Sequence, residues 1–181
     1  GLAAVVRTRD HTLVYDTGPR FGPGFDAGEA VLVPFLRQAG VDRIDVLMLS
    51  HGDRDHAGGH DSLLEAIPVE AVLAGEPMPG QRVCHAGMAW NWDGVRFELL
   101  HPRRDRQWHG NDASCVLRVS GPGGSILLTG DIQRPAERSL VSAEPRLRSD
   151  ILVAPHHGSA TSSSNAFVSA VAPRWVLFPT G

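Results

Sequence analysis

The apolar run from Ile44 to Leu49 reads as a buried strand, and Gly58-Gly59 then open a helix over 60–66. Strand-like runs at 5–8 and 12–15 flank a turn at Asp10-His11 and predict a hairpin. A Gly/Pro-rich loop over 17–24 leads into an amphipathic helix over about 27–38, which Gly40 ends. A short strand follows at 69–73, and the stretch from Gly75 to Gly94 holds short β-like pieces among Gly and Pro. The second half repeats the theme, with strands at 95–100, 114–119 and 125–129, a helix near 135–141, a strand at 151–154, a helix at 164–171 and a strand at 175–178. Two sets of strands, each ending in helices, predict an α/β chain of two sheets packed face to face with helices outside. No linker divides the chain, so one domain over 1–181 is expected.

Composition narrows this picture without redirecting it. A chain of 181 residues, 42% hydrophobic and 20% charged, suits a soluble domain with a substantial core. No apolar run reaches the ~18 residues that cross a bilayer, and no signal peptide is visible. The first residue is not Met, which points to a fragment or a processed product. A net charge of −3 argues against a domain built chiefly to bind nucleic acid by charge. All 17 Lys and Arg positions are Arg, and Arg103, Arg104 and Arg106, followed by Trp108 and His109, form the basic cluster. That cluster reads either as a solvated loop or as a patch that holds a nucleic-acid strand by phosphate contact and stacking. Cys84 and Cys115 are read as two buried thiols, since two cysteines make no disulfide framework, with a single disulfide between them as the unsupported alternative. Neither lies near the polar clusters in sequence, which argues against a thiolate metal site.

The chemistry concentrates at strand ends. His51, Asp53, Asp55 and His56 fall within six residues, and imidazole with carboxylate suits divalent cations. A charged loop with one helix-capping Asp would explain a single residue but not the set. Two more strand-like runs end in Asp131 and in His156-His157-Gly158-Ser159. Asp131 alone would read as a cap for the helix near Pro135, and His157 and Ser159 alone as loop residues. Together these strand ends predict one shared site held on rigid elements. Two cations are expected: His51 and Asp53 hold one, Asp55, His56 and His156 the other, and Asp131 bridges them. Asp55 and His157 are placed at the reaction itself, His157 as a proton donor or phosphate contact. Asp16, at another strand end, orients a ligand by hydrogen bonds. Asn111, Ser114 and Ser159 are supporting or substrate-contacting candidates.

The pattern His51-x-Asp53-x-Asp55-His56, with Asp16, Asp131 and the His156-His157 pair in order, resembles the metallo-β-lactamase fold family. Asp53 stands where that family's signature has a second His. With Asn111-x-x-Ser114, Thr129-Gly130-Asp131-Ile132 and Ala154-Pro155-His156-His157-Gly158-Ser159, the chain is most similar to the C-terminal domain of ComEC-type competence proteins. The resemblance implies an αββα sandwich of two mixed sheets flanked by helices. It implies a metal-dependent DNA nuclease that degrades the strand not imported during natural transformation. DNA and the membrane channel portion of the same parent protein would be its partners. The domain would be soluble, on the outer face of the inner membrane, and monomeric when isolated. Against the family pattern, the chain would lack the first strand and stop before the last helix and strand. An Asp in place of His shifts the expected preference toward Mn²⁺, with Zn²⁺ as the second choice, and leaves the His51–Asp53 cation weakly held. The competing readings are a hydrolase of small esters or phosphodiesters, and a non-catalytic domain that guides DNA.

Overall fold

The computed structural model describes residues 1–77, 79–143 and 145–179. A first sheet has the order β1-β2-β5-β6-β7, formed by Ala4–Arg7, Thr12–Tyr15, Ile44–Leu49, Val69–Ala74 and Arg82–Val83. The β1–β2 pair is the antiparallel hairpin expected, with Val5 opposite Val14, and the remaining strands run parallel. Between β2 and β5 lies a small hairpin, β3 (Arg20–Gly22) and β4 (Phe25–Asp26), the first strand inside the stretch 17–24 read as loop and the second just past it. The second sheet has the order β13-β12-β11-β10-β9-β8. Its strands are β8 (Ala89–Trp92), β9 (Val95–His101), β10 (Val116–Gly121), β11 (Gly124–Leu128), β12 (Ile151–Val153) and β13 (Trp175–Leu177). β11, β12 and β13 are parallel, and the others antiparallel. Both sheets are therefore mixed.

Side-chain alternation sorts residues between layers. Leu13 and Tyr15 point into the space between the sheets, where they meet Met48, Phe97, Leu99 and Leu117. Val14 points the other way, toward α1 (Val33–Gln38) and α2 (His60–Ala66), and packs with Leu36, Leu47 and Leu63. β5 supplies both layers, which is why its sequence reads as a run rather than an alternation. Across the molecule, α3 (Arg134–Ala143) and α4 (Asn165–Val171) cover the second sheet through Leu140 and Phe167, packed on Val116 and Leu127. The result is the αββα sandwich of two mixed sheets flanked by helices.

Two local departures from expectation have simple causes. The helix over 27–38 begins as a wide π-type turn, Gly28–Leu32, in which the Val33 N–H reaches back to Gly28 O. Pro34 lacks an N–H and cannot sustain the regular ladder there. Gly59 does more than begin a helix: a Cβ on it would run into Gly28 and into Thr17 O, so two backbones meet at this point.

Cys84 and Cys115 are not free thiols. They form a disulfide with Cα atoms 6.0 Å apart, joining the end of the first sheet to the start of β10 in the second. Each cysteine sits in its own strand-like segment, and nothing in the linear pattern shows that the two sheets bring them together. The bridge closes a 31-residue separation, for which chain entropy gives a contribution of about 3.7 kcal/mol. Cys84→Ala/Cys115→Ala is expected to lose stability of that order in urea unfolding. An unchanged midpoint would show that the bridge does not constrain the unfolded chain.

Candidate metal centre

The strands carrying polar residues end on one side of the sandwich. β2 leads to Asp16, β5 to Ser50-His51, β11 to Asp131, and β12 to a turn over Pro155–Gly158. Gly130 permits the close approach, since its φ is +55° and a Cβ there would stand 2.8 Å from the side chains of Ser114 and Ser50. Asp131 does not serve as the cap expected of an isolated Asp. That task falls to Asp112, whose Oδ1 accepts from Gln133 N at 2.8 Å at the start of α3, and Asp131 is left for the centre.

Asp55, His56, Asp131 and His157 each present one donor atom, all within 4.8 Å of one another. His157 Nε2 lies 3.2 Å from Asp55 Oδ2, 3.2 Å from His56 Nε2 and 3.5 Å from Asp131 Oδ2. The structure thus brings His157 into the cluster that the sequence reading completed with His156. His156 turns away, with Nδ1 near Thr161 Oγ1 at 3.1 Å and Gln133 Nε2 at 3.3 Å, and Nε2 at 3.4 Å from Asn111 Nδ2. The backbone makes the choice: both histidines are left-handed, with φ of 48° and 54°, so consecutive rings leave the chain in different directions. His51 and Asp53 stand beside the cluster, with Nε2 and Oδ2 3.5 Å apart and the Asp53 side chain largely exposed.

Each histidine that faces the centre is tied at its far nitrogen, so that Nε2 turns inward. His56 Nδ1 lies 2.7 Å from Asp16 Oδ2, His157 Nδ1 3.0 Å from Pro179 O, and His51 Nδ1 2.9 Å from Ser50 Oγ. Asp16 also accepts from Ser50 N and Ser50 Oγ, at 2.6 and 2.8 Å, from a backbone with φ +60°. Ser114 Oγ donates to Asn111 O, accepts from Asp131 N and approaches His51 Nδ1 to 3.4 Å. Ser159 contacts only its own turn and Thr161.

Electrostatics favours a positive charge here. Burial pushes His56 down, but the close carboxylate of Asp131 and the hydrogen-bonded carboxylate of Asp16 outweigh it and hold the imidazole at about 10. Burial would raise Asp131, yet the close His56 imidazole and the neighbouring histidines keep it below the ordinary carboxylate range. Burial, reinforced by His56, lowers His51. His51 Nε2 and Asp131 Oδ1 are buried with no hydrogen-bond partner among the described residues. Asp131 Oδ1 is 3.1 Å from His56 Nε2, close enough for attraction but without the angle of a hydrogen bond. Buried orphans of this kind cost about 1–3 kcal/mol each. Orphaned atoms facing a cluster of carboxylate and imidazole fit a divalent cation.

Beside the centre is a second feature. His101 is buried and its ring meets Trp108 edge-on, with centroids 4.4 Å apart; the Arg106 guanidinium lies 3.6 Å over the other ring of that stack, Trp108. His101 Nε2 donates to Asp112 O at 2.8 Å, and its buried Nδ1 has no partner among the described residues. Burial therefore pushes His101 down to about 4. Between its unfolded value near 6.5 and that value the unfolded chain binds more protons, so stability falls as pH drops through this window. The loss is about 3 kcal/mol by pH 4. Urea unfolding between pH 7 and 4 checks this against His101→Phe, in which that component of the slope is expected to vanish; an identical slope would refute it.

Residues 1–180 match the family model for the metallo-beta-lactamase superfamily. The chain is 42% identical to the protein called Competence protein ComA of Neisseria gonorrhoeae, over 100% of this chain and 26% of that protein. It is 35% identical to Recombination protein 2 of Haemophilus influenzae, over 100% of this chain and 23% of that protein. It thus spans about a quarter of the length of these relatives. Among solved structures, a metallo-beta-lactamase with a HARLDQ motif from Cronobacter sakazakii superposes with a TM-score of 0.62 at 16% identity, over 94% of this chain and 83% of that one. Among the described residues no helix is long and apolar enough to cross a membrane.

Proposed function

The chain belongs to the metallo-beta-lactamase superfamily, and from that premise we propose that it is a metal-dependent DNA nuclease serving DNA uptake. The observation that carries this reading is the convergence of Asp55, His56, Asp131 and His157 at one end of the sandwich, in a chain similar throughout to a competence protein. Asp55, His56, Asp131 and His157 hold one cation. His51 and Asp53, with Asp131 shared, hold a second more weakly, because they add only two donors and Asp53 is open to solvent. Three of these six donors are carboxylates, Asp53 standing where the family signature has His, and that added oxygen favours Mn²⁺ over Zn²⁺.

Divalent cations in such a site supply Lewis acidity toward a phosphoryl oxygen and lower the pKa of water enough for it to act as nucleophile near neutral pH. The chain's own residues supply position. Asp16, Pro179 O and Ser50 fix three imidazoles so that their Nε2 atoms face inward without further reorganisation. In this arrangement His157 is a ligand rather than the proton donor. Asn111 and His156, whose side chains meet 3.4 Å apart at the rim, are the substrate-contacting pair.

The domain acts as part of a longer membrane protein, with the channel portion as partner and DNA as substrate; it works on the outer face, and the isolated domain is a monomer. The inter-sheet disulfide supports that location, because such bonds persist in oxidising compartments. Incubating the chain with supercoiled plasmid, a labelled single strand and bis(p-nitrophenyl) phosphate, in Mn²⁺ or Zn²⁺, tests the reading. DNA cleavage that is strongest in Mn²⁺ and absent from Asp55→Ala is expected. Hydrolysis of the small diester without DNA cleavage would mark a small-molecule phosphodiesterase, and no hydrolysis at all a DNA-guiding domain.

A further inference from the structure

Arg104 and Arg106 are exposed and have no carboxylate partner among the described residues, unlike Arg103, which pairs with Asp105 at 3.1 Å. They edge a cavity of about 270 Å³ that also takes in Trp108, His85, His109 and Glu76. Arg106 is not a free side chain. It lies 3.6 Å above Trp108, which is braced behind by buried His101 and anchored by donation from Trp108 Nε1 to Arg103 O at 3.1 Å. The three rings and the guanidinium form a pillar that presents one flat cationic face outward.

The pillar stands next to the metal centre. Glu76, in the cavity wall, accepts from Gly110 N at 3.0 Å, and a Cβ on Gly52 would be 3.6 Å from its Oε2. Gly52 lies between His51 and Asp53, so cavity and ligand loop share this wall. Glu76 spends one oxygen on that N–H and faces Gly52 with the other, so Arg104 and Arg106 are the cavity's cations without a carboxylate partner among the described residues.

We propose that this cavity is a subsite for one unpaired nucleotide of the strand whose phosphodiester lies at the metal centre. Its base lies on the outer face of the Arg106 guanidinium, and Arg104 meets the adjoining phosphate. A planar guanidinium stacks on a base and binds phosphate with fixed geometry, which a solvated loop arginine does not do. A cavity of this size matches a single unstacked nucleotide, so the subsite is expected to favour a strand that is already separated. This inference rests on the nuclease reading for its biological role but not for its test.

The test is binding without catalysis. A fluorescent dT12 oligonucleotide is titrated into the full chain in EDTA, across a series of salt concentrations. Arg104→Ala/Arg106→Ala is expected to weaken binding at least tenfold and to flatten the slope of log K against log salt by about 0.7, the one phosphate contact that Arg104 makes. Arg106→Lys, which keeps the charge and loses the plane, should retain the slope and still bind several-fold more weakly. A duplex with cross-linked ends should bind at least tenfold more weakly than the single strand. Unchanged affinity and slope in the double variant would overturn the subsite, and equal binding of the cross-linked duplex would overturn its selectivity. Failure of the nuclease reading would appear separately, as intact oligonucleotide in Mn²⁺.

Discussion

His157→Ala is expected to lower metal-dependent phosphodiester hydrolysis by about 1,000-fold, whereas His156→Ala is expected to change it by less than about fivefold; the larger effect corresponds to about 4 kcal/mol of lost transition-state stabilisation. The contrast follows from two rings attached to neighbouring residues. His157 Nε2 sits within 3.5 Å of donor atoms on Asp55, His56 and Asp131, so on the proposed reading its removal would take away one of four cation ligands. The ring nitrogens of His156 meet Asn111, Gln133 and Thr161 instead, so its expected role is contact with substrate. Measuring kcat/KM alongside Mn²⁺ stoichiometry separates lost metal from lost contact. A larger loss for His156→Ala would return the ligand position to that residue.

Asp16→Ala is expected to be the most damaging single change away from the ligands themselves. Asp16 is fully buried and accepts three bonds, from Ser50 N, Ser50 Oγ and His56 Nδ1. Truncation leaves these buried donors without an acceptor and removes one of the two carboxylates beside His56, a cost of about 3–5 kcal/mol. Asp16→Asn is the more informative variant. Its shape and its tolerance of positive φ are preserved, but an amide turns an N–H toward Ser50 or His56, where only an acceptor fits. Urea unfolding should then show a partial loss, and Mn²⁺ affinity should fall by about 10–100-fold. Equal affinity in Asp16→Asn would remove the proposed orienting role.

Most of the architecture could be read along the chain because its signals are local. β5, buried on both faces, and the hairpin of β1 and β2 carry their periods in a few residues. Gathering three polar strand ends into one site was also legible, since strands of a sandwich end together. What escaped depends on contacts between distant segments or on backbone torsion. The Cys84–Cys115 bond needs two sheets to meet, and Asp112 caps α3 from a different part of the chain. The exchange of His156 for His157 hangs on left-handed torsions that Pro155-His156-His157-Gly158 does not spell out. Ser162 was missed although it locks that turn, bonding Pro155 O at 2.8 Å and Ser159 O at 3.0 Å. A serine a few residues beyond a paired histidine is too common a signal to single out.

The division of the centre between two sheets also sets when it comes into being. His56 and Asp55 leave the first sheet, Asp131 and His157 the second, and the His157–Asp55 contact spans 102 residues of chain. Contacts so distant in sequence form late in folding, after hairpins and the smaller disulfide loop have had their chance to close. During synthesis, His51 to His56 emerge while their partners are still unmade, so an ion captured early finds half a coordination sphere and is readily lost. Completion of the cluster is thus a mark of completed assembly: its four donor groups meet only when both halves of the molecule have docked.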